Sequence, residues 1–159
     1  MMKVLMLHGL ESAPGGAKSD FLALKGCVMV NPSLPKESWE LSLAIAQEAL
    51  DREKPDLIVG ASRGGALALN IHARGTRLVL IAPAWKRFGT ANKAPRDTII
   101  LHSDHDDVVP FSDSRELAEC SALGPGQLVR VGLDHRMKDA EALFALWRAA
   151  STAKGPSLG

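Results

Sequence analysis

Six short apolar runs punctuate the chain, at 4–7, 27–30, 57–60, 78–82, 99–102 and 128–131. They lack the apolar–polar alternation of a half-solvated strand, which predicts strands buried on both faces. Each is closed by nearby Gly, Pro, Asn or Asp. Between and after them, apolar positions recur at helical spacing over 17–25, 37–53, 65–74, 112–121 and 137–150. Alternating strands and helices predict a mostly parallel six-stranded sheet with helices on both faces, a three-layer α/β/α sandwich. In such sheets chemistry gathers at the carboxyl ends of the strands. The stretch 83–97 has two prolines, four basic residues and no period, and reads as a long surface loop.

Length sets the domain count: 159 residues suit one compact domain, expected over 1–152, with a frayed tail at 153–159. Nineteen basic residues against 18 acidic leave no excess charge to hold a polyanion, so nucleic acid is not an expected partner. The first apolar run is too short for a signal core or a membrane span, and no membrane partner is expected. Cys27 and Cys120 form neither a disulfide framework nor a metal-binding spacing, which points to reduced thiols and a cytoplasmic location. Oligomeric state is not legible.

The strongest local pattern is Gly60-Ala61-Ser62-Arg63-Gly64, a G-x-S-x-G closing one predicted strand and opening a helix. A serine on so sharp a turn needs glycines two positions away on either side, where side chains would strike backbone. A plain strand-to-helix turn with a capping serine is the bland alternative. A serine hydroxyl becomes a useful nucleophile only when a base removes its proton, and the usual base is a histidine oriented by a carboxylate. Both stand at predicted strand ends: Ser103-Asp104-His105-Asp106-Asp107-Val108-Val109-Pro110 after the fifth, and Gly132-Leu133-Asp134-His135 after the sixth. Of the other histidines, His72 is expected inside a helix, His105 is too near the acidic cluster, and His102 is expected to shape that loop. The acidic cluster could also be a solvated loop or a cation site. No second group of metal-ligand spacing accompanies it, and no cofactor or metal is expected.

The order serine, acid, histidine, together with "LHGL", "GASRGG", "HSDHDDVVP" and "GLDH", resembles the α/β-hydrolase superfamily, specifically small lidless serine esterases of the dienelactone-hydrolase-like kind. The resemblance covers nearly the whole chain. It implies a minimal α/β-hydrolase fold without a cap domain, Ser62 as nucleophile, His135 as base, and backbone N–H groups of Leu10 and Arg63 as the oxyanion hole. The family's D-x-x-V-P pattern picks Asp106 as the acid, with Asp104 and Asp107 as fallbacks. Ser103 departs from the pattern, which has glycine after that histidine.

The implied activity is hydrolysis of small or exposed carboxylic esters through an acyl-enzyme, with a small-molecule acyl ester as partner. A thioesterase, a lactone hydrolase and a non-catalytic binding protein on the same fold are the alternatives. Trp85 and Phe88, in the 83–97 loop, are the expected substrate wall, and ordinary packing is their other reading. Arg63 is expected to face solvent or to reach toward a substrate carboxylate.

Overall fold

The computed structural model describes residues 1–152; the tail expected at 153–159 lies outside the described residues. Six strands form one sheet: β1 (Lys3–Leu7), β2 (Val28–Val30), β3 (Leu57–Ala61), β4 (Arg77–Ile81), β5 (Ile99–His102) and β6 (Leu128–Arg130). Their order is β2-β1-β3-β4-β5-β6 and every neighbouring pair is parallel.

Alternation along each strand sorts its side chains into two cores. Leu5, Leu7, Ile58, Leu78, Leu80 and Ile100 point to one face, where they meet α2 (Trp39–Glu53), α3 (Arg63–Asn70) and α4 (Phe111–Cys120). Val4, Met6, Val59, Val79, Ile81 and Leu101 point to the other, against α1 (Ala17–Leu24) and α5 (Ala140–Ser151). Burial on both faces explains why β1, β3, β4 and β5 read as continuous apolar runs, whereas β2 and β6, at the margins of the sheet, have no buried residue and depart from the expected burial. The result is the three-layer sandwich with the expected six-stranded sheet.

All five helices shift at their ends, and two differ from their predicted spans by three residues or more at one end. The helix expected at 65–74 starts two residues earlier and stops at Asn70, whose side-chain amide donates to the Ala66 carbonyl and whose Oδ1 accepts from Thr90 and Ala91 N–H. His72 therefore lies beyond the helix, not within it, with its own N–H bonded to Gln47 Oε1. The last helix begins at Ala140 because Asp139 caps it, accepting from Ala142 N–H, while Met137 just before it has φ 53°.

The 83–97 segment carries no helix or strand, as expected, but it is not wholly superficial. Pro83, Ala84, Trp85 and Ala94 are buried, and Ala94 N–H donates to Ser121 Oγ.

Strand order places a switch point between β1 and β3: β1 leads outward to β2 on one side and has β3 on the other. Crevices form where connections diverge in this way, outside the carboxyl ends of the strands. The loops after β1 and β3 carry Gly9-Leu10 and Ser62.

Candidate active site

Ser62 sits between β3 and α3 with φ 55° and ψ −117°, a conformation a non-glycine residue holds only under constraint. Its N–H donates to the Ile81 carbonyl, and its own carbonyl accepts from Gly65, Ala66 and Ala84 N–H. The flanking glycines make this bend possible. A Cβ on Gly60 would lie 2.5 Å from the Gly64 oxygen, and one on Gly64 would lie 2.0 Å from the Leu7 oxygen.

The bend aims Ser62 Oγ at His135 Nε2, 3.1 Å away, while His135 Nδ1 lies 2.6 Å from Asp106 Oδ2. An ionised carboxylate only accepts, so Nδ1 carries the ring proton and Nε2 offers its lone pair to the serine hydroxyl. Of the three candidate aspartates, only Asp106 joins this chain. Asp104 instead lies 3.5 Å from His105 and 3.9 Å from Arg130 at the surface.

Asp106 is fully buried at its side chain. Burial pushes its carboxyl up, but hydrogen bonds from His135 and from the Val109 and Val108 N–H groups outweigh that and hold it below the usual carboxylate range. A fourth partner is His102, whose Nε2 lies 3.0 Å from both Asp106 Oδ2 and the Val109 carbonyl. Two acceptors at one nitrogen require Nε2–H, so Nδ1 accepts from Ser114 Oγ at 2.7 Å. Burial pulls His102 below the ordinary histidine value, against the pull of Asp106, which favours this neutral form. His102 thus shapes the acid loop, as expected from sequence. Ser114, supplied by α4 twelve residues on, left no local signal.

Ser103 has a definite place. Its hydroxyl donates to the Gly132 carbonyl at 2.9 Å and accepts from His105 N–H at 3.0 Å, tying the loop that carries Asp106 to the loop that carries His135. A glycine there could not make this tie.

After β1, buried His8 accepts from Leu34 N–H at Nε2 and donates from Nδ1 to the Gly9 carbonyl. Fixing that carbonyl fixes the Gly9–Leu10 peptide plane, because N–H and C=O point oppositely across a trans amide. The same loop crowds Ser62: a Cβ on Gly9 would lie 3.4 Å from Ser62 Cβ. Arg63 N–H opens α3, where no carbonyl one turn back is available to it. Gly9, whose peptide carries the Leu10 N–H, thus approaches Ser62 in space, and Arg63 follows it in sequence.

The Arg63 side chain neither faces solvent nor reaches out of the site. The residue is 2% exposed, donates to the Pro35 and Ser38 carbonyls, and has its guanidinium 5.7 Å from the ring centroids of both Trp39 and Phe88. Burial lowers its affinity for the proton, with Glu37 opposing. The expected substrate wall divides accordingly. Trp85 is a core residue whose indole N–H donates to the Asp113 carbonyl, and Phe88 stacks on Trp39.

A cleft of ≈310 Å³ is lined by Gly9, by Ala61, the residue before Ser62, and by residues 11–18 among others; Ser62, Trp85 and Phe88 are not part of its lining. A larger hollow of ≈630 Å³ lies at the opposite end of the sheet, around Asp56 and Arg77, remote from the Ser62 chain. Among the described residues, no three His, Cys, Asp or Glu side chains converge as a metal-binding group, and no helix is long and apolar enough to cross a membrane.

No family model and no curated protein matches the chain. Solved structures do. Est1E from Butyrivibrio proteoclasticus superposes with a TM-score of 0.72 at 15% identity, covering 93% of this chain and 85% of its own. Alpha/beta hydrolase domain-containing protein 10 from mouse gives 0.71 at 16% identity, with 93% and 87% covered. The monoacylglycerol lipase of Paleococcus ferrophilus gives 0.69 at 16%, with 93% and 91% covered. The chain therefore has the α/β-hydrolase fold.

Proposed function

We propose that the chain is a serine hydrolase that cleaves small or exposed carboxylic esters through an acyl-enzyme on Ser62. The observation that carries this reading is the continuous hydrogen-bonded chain from Ser62 Oγ through His135 to Asp106, set on a strained turn at the sheet's switch point. The esterase and the lipase among the similar structures support the same class of chemistry.

Ser62 Oγ attacks the ester carbonyl carbon and its proton passes to His135 Nε2, leaving a tetrahedral oxyanion beside the Leu10 and Arg63 N–H groups. Collapse expels the alcohol, which takes the proton from His135, and leaves an acyl-serine. Water then attacks the acyl carbon, gives its proton to His135, and the second collapse returns that proton to Ser62 as the carboxylic acid departs. Asp106 stays ionised throughout, holding Nδ1–H and stabilising the transient imidazolium. No cofactor enters the sequence of steps.

Labelling with a fluorophosphonate, alongside hydrolysis of p-nitrophenyl esters of increasing acyl length, tests this. Covalent labelling and turnover are expected in the wild type and absent in Ser62→Ala. Equal background in both proteins overturns the reading in favour of a binding protein on a hydrolase fold.

A further inference from the structure

The cleft lined by Gly9 and Ala61 has an apolar floor of Met6 and Ala61 and a basic flank made by Lys18, from α1, and Lys138, from the loop before α5. The acidic residue in its lining, Glu11, is already paired with Lys36 at 3.1 Å. Neither Lys18 nor Lys138 has a carboxylate within ion-pair distance among the described residues. Asp134, the acid whose charge acts on Lys18, spends an oxygen on the Arg136 and Met137 N–H groups. Lys18 is half-buried and its Nζ donates to the Arg136 carbonyl at 2.6 Å, which holds it in place and, among the described residues, leaves two of its three N–H donors uncommitted.

We propose that this cleft is an anion subsite, and that the ester bound there carries a carboxylate that Lys18 and Lys138 recognise. The proposal rests on the serine hydrolase reading and adds the substrate class to it. Two ammonium groups facing one hollow repel each other, and an anion between them removes the repulsion and supplies acceptors for the free N–H groups. Burial, then Lys138, brings Lys18 down to about 8, with Asp134 pulling the other way. Ala61 directly precedes Ser62 and a Cβ on Gly9 would lie 3.4 Å from Ser62 Cβ, so a carboxylate held here lies a short carbon chain from the reacting carbonyl. The basic residues of the 83–97 loop are less suited to this role, since Lys86 pairs with Glu116 and Arg87 donates to the Val108 carbonyl.

The test compares mono-p-nitrophenyl glutarate with p-nitrophenyl valerate, of equal chain length, on wild type, Lys138→Met and Lys18→Met/Lys138→Met. 4-Acetoxybenzoate against phenyl acetate places the charge on the alcohol side instead. Wild type is expected to prefer the charged member of one pair roughly tenfold in kcat/KM, mainly through KM, and the double variant to bring that ratio near one. No preference in either pair, or a preference that the double variant keeps, overturns the proposal. Calorimetric binding of glutarate to Ser62→Ala separates the two readings. Binding that the lysine substitutions abolish supports the subsite even if no ester is turned over, and absence of binding together with turnover of neutral esters leaves the hydrolase and removes the subsite. Lys138 is exposed, so the single variant folds whatever Lys18 contributes to stability.

Discussion

His102 and His135 both bond to the same oxygen of Asp106, at 3.0 and 2.6 Å. The other oxygen takes the N–H groups of Val108 and Val109 at 2.8 Å each. A buried carboxylate with all four acceptor positions filled is held ionised and in one orientation, which a single histidine partner would not ensure.

Asp106→Asn is expected to lower kcat by about ten thousandfold with little change in KM, because the amide no longer selects the Nδ1–H tautomer of His135. Stability follows from the sign of the shift. The folded carboxyl titrates below its unfolded value of about 3.9, so its contribution is present above that pH and is lost as pH falls through the folded value. The melting temperature difference between wild type and Asp106→Asn should be largest at neutral pH and close below about pH 4. His102, depressed by burial, adds a loss that begins near pH 6.5 in both proteins. A difference that persists unchanged to pH 2 would contradict this account.

Ser103→Gly removes the bridge to the Gly132 carbonyl. Loss of one buried hydrogen bond costs about 1 kcal/mol, and here it frees the loop that positions His135. The expected outcome is a drop in kcat of roughly fivefold or more, partly restored in Ser103→Thr, with fluorophosphonate labelling slowed in parallel.

Gly64→Ala is expected to destabilise by about 3 kcal/mol or more, since its Cβ would lie 2.0 Å from the Leu7 oxygen and strands cannot part to admit it. That corresponds to a fall in melting temperature of about 6 °C or more. Gly126→Ala, with open space around it and no positive φ, serves as the control and should change it little.

Arg63→Met should act on the fold more than on turnover of any one ester. It removes one donor from each of the Pro35 and Ser38 carbonyls, which keep bonds from Ser42, and takes away a charge packed against Trp39 and Phe88, a loss of about 2–3 kcal/mol. Charged and neutral esters should be affected to the same degree. A selective loss for the charged ester would assign substrate recognition to Arg63 and contradict its burial.

The elements most legible in the sequence were those dictated by local rules. Six apolar runs became six strands because a parallel sheet covered on both faces admits little else, and G-x-S-x-G was readable because steric crowding at the turn demands glycine within two residues. What escaped was set by distant parts of the chain. Arg63 looks like a surface charge until α2 brings Trp39 and the Ser38 carbonyl over it. Trp85 looks like a site aromatic until α4 presents the Asp113 carbonyl to its indole. Lys18 carries no mark in the sequence that separates it from the other lysines, and its position depends on the loop before α5 folding back to meet it. His72 was misplaced for the same kind of reason, since Asn70 ends its helix by bonding to a loop twenty residues away.

Ser62 follows the strand with a neighbour on each side, whereas His135 follows β6, a three-residue strand at the margin of the sheet with β5 alone to hold it. The two ends of the proton path thus differ in mechanical backing. Margins open at lower free energy than interiors, so β6 and the segment after it can detach briefly while the rest of the sheet stays intact. On the serine hydrolase reading, activity is then expected to fall reversibly on warming, at temperatures where the body of the molecule still holds together.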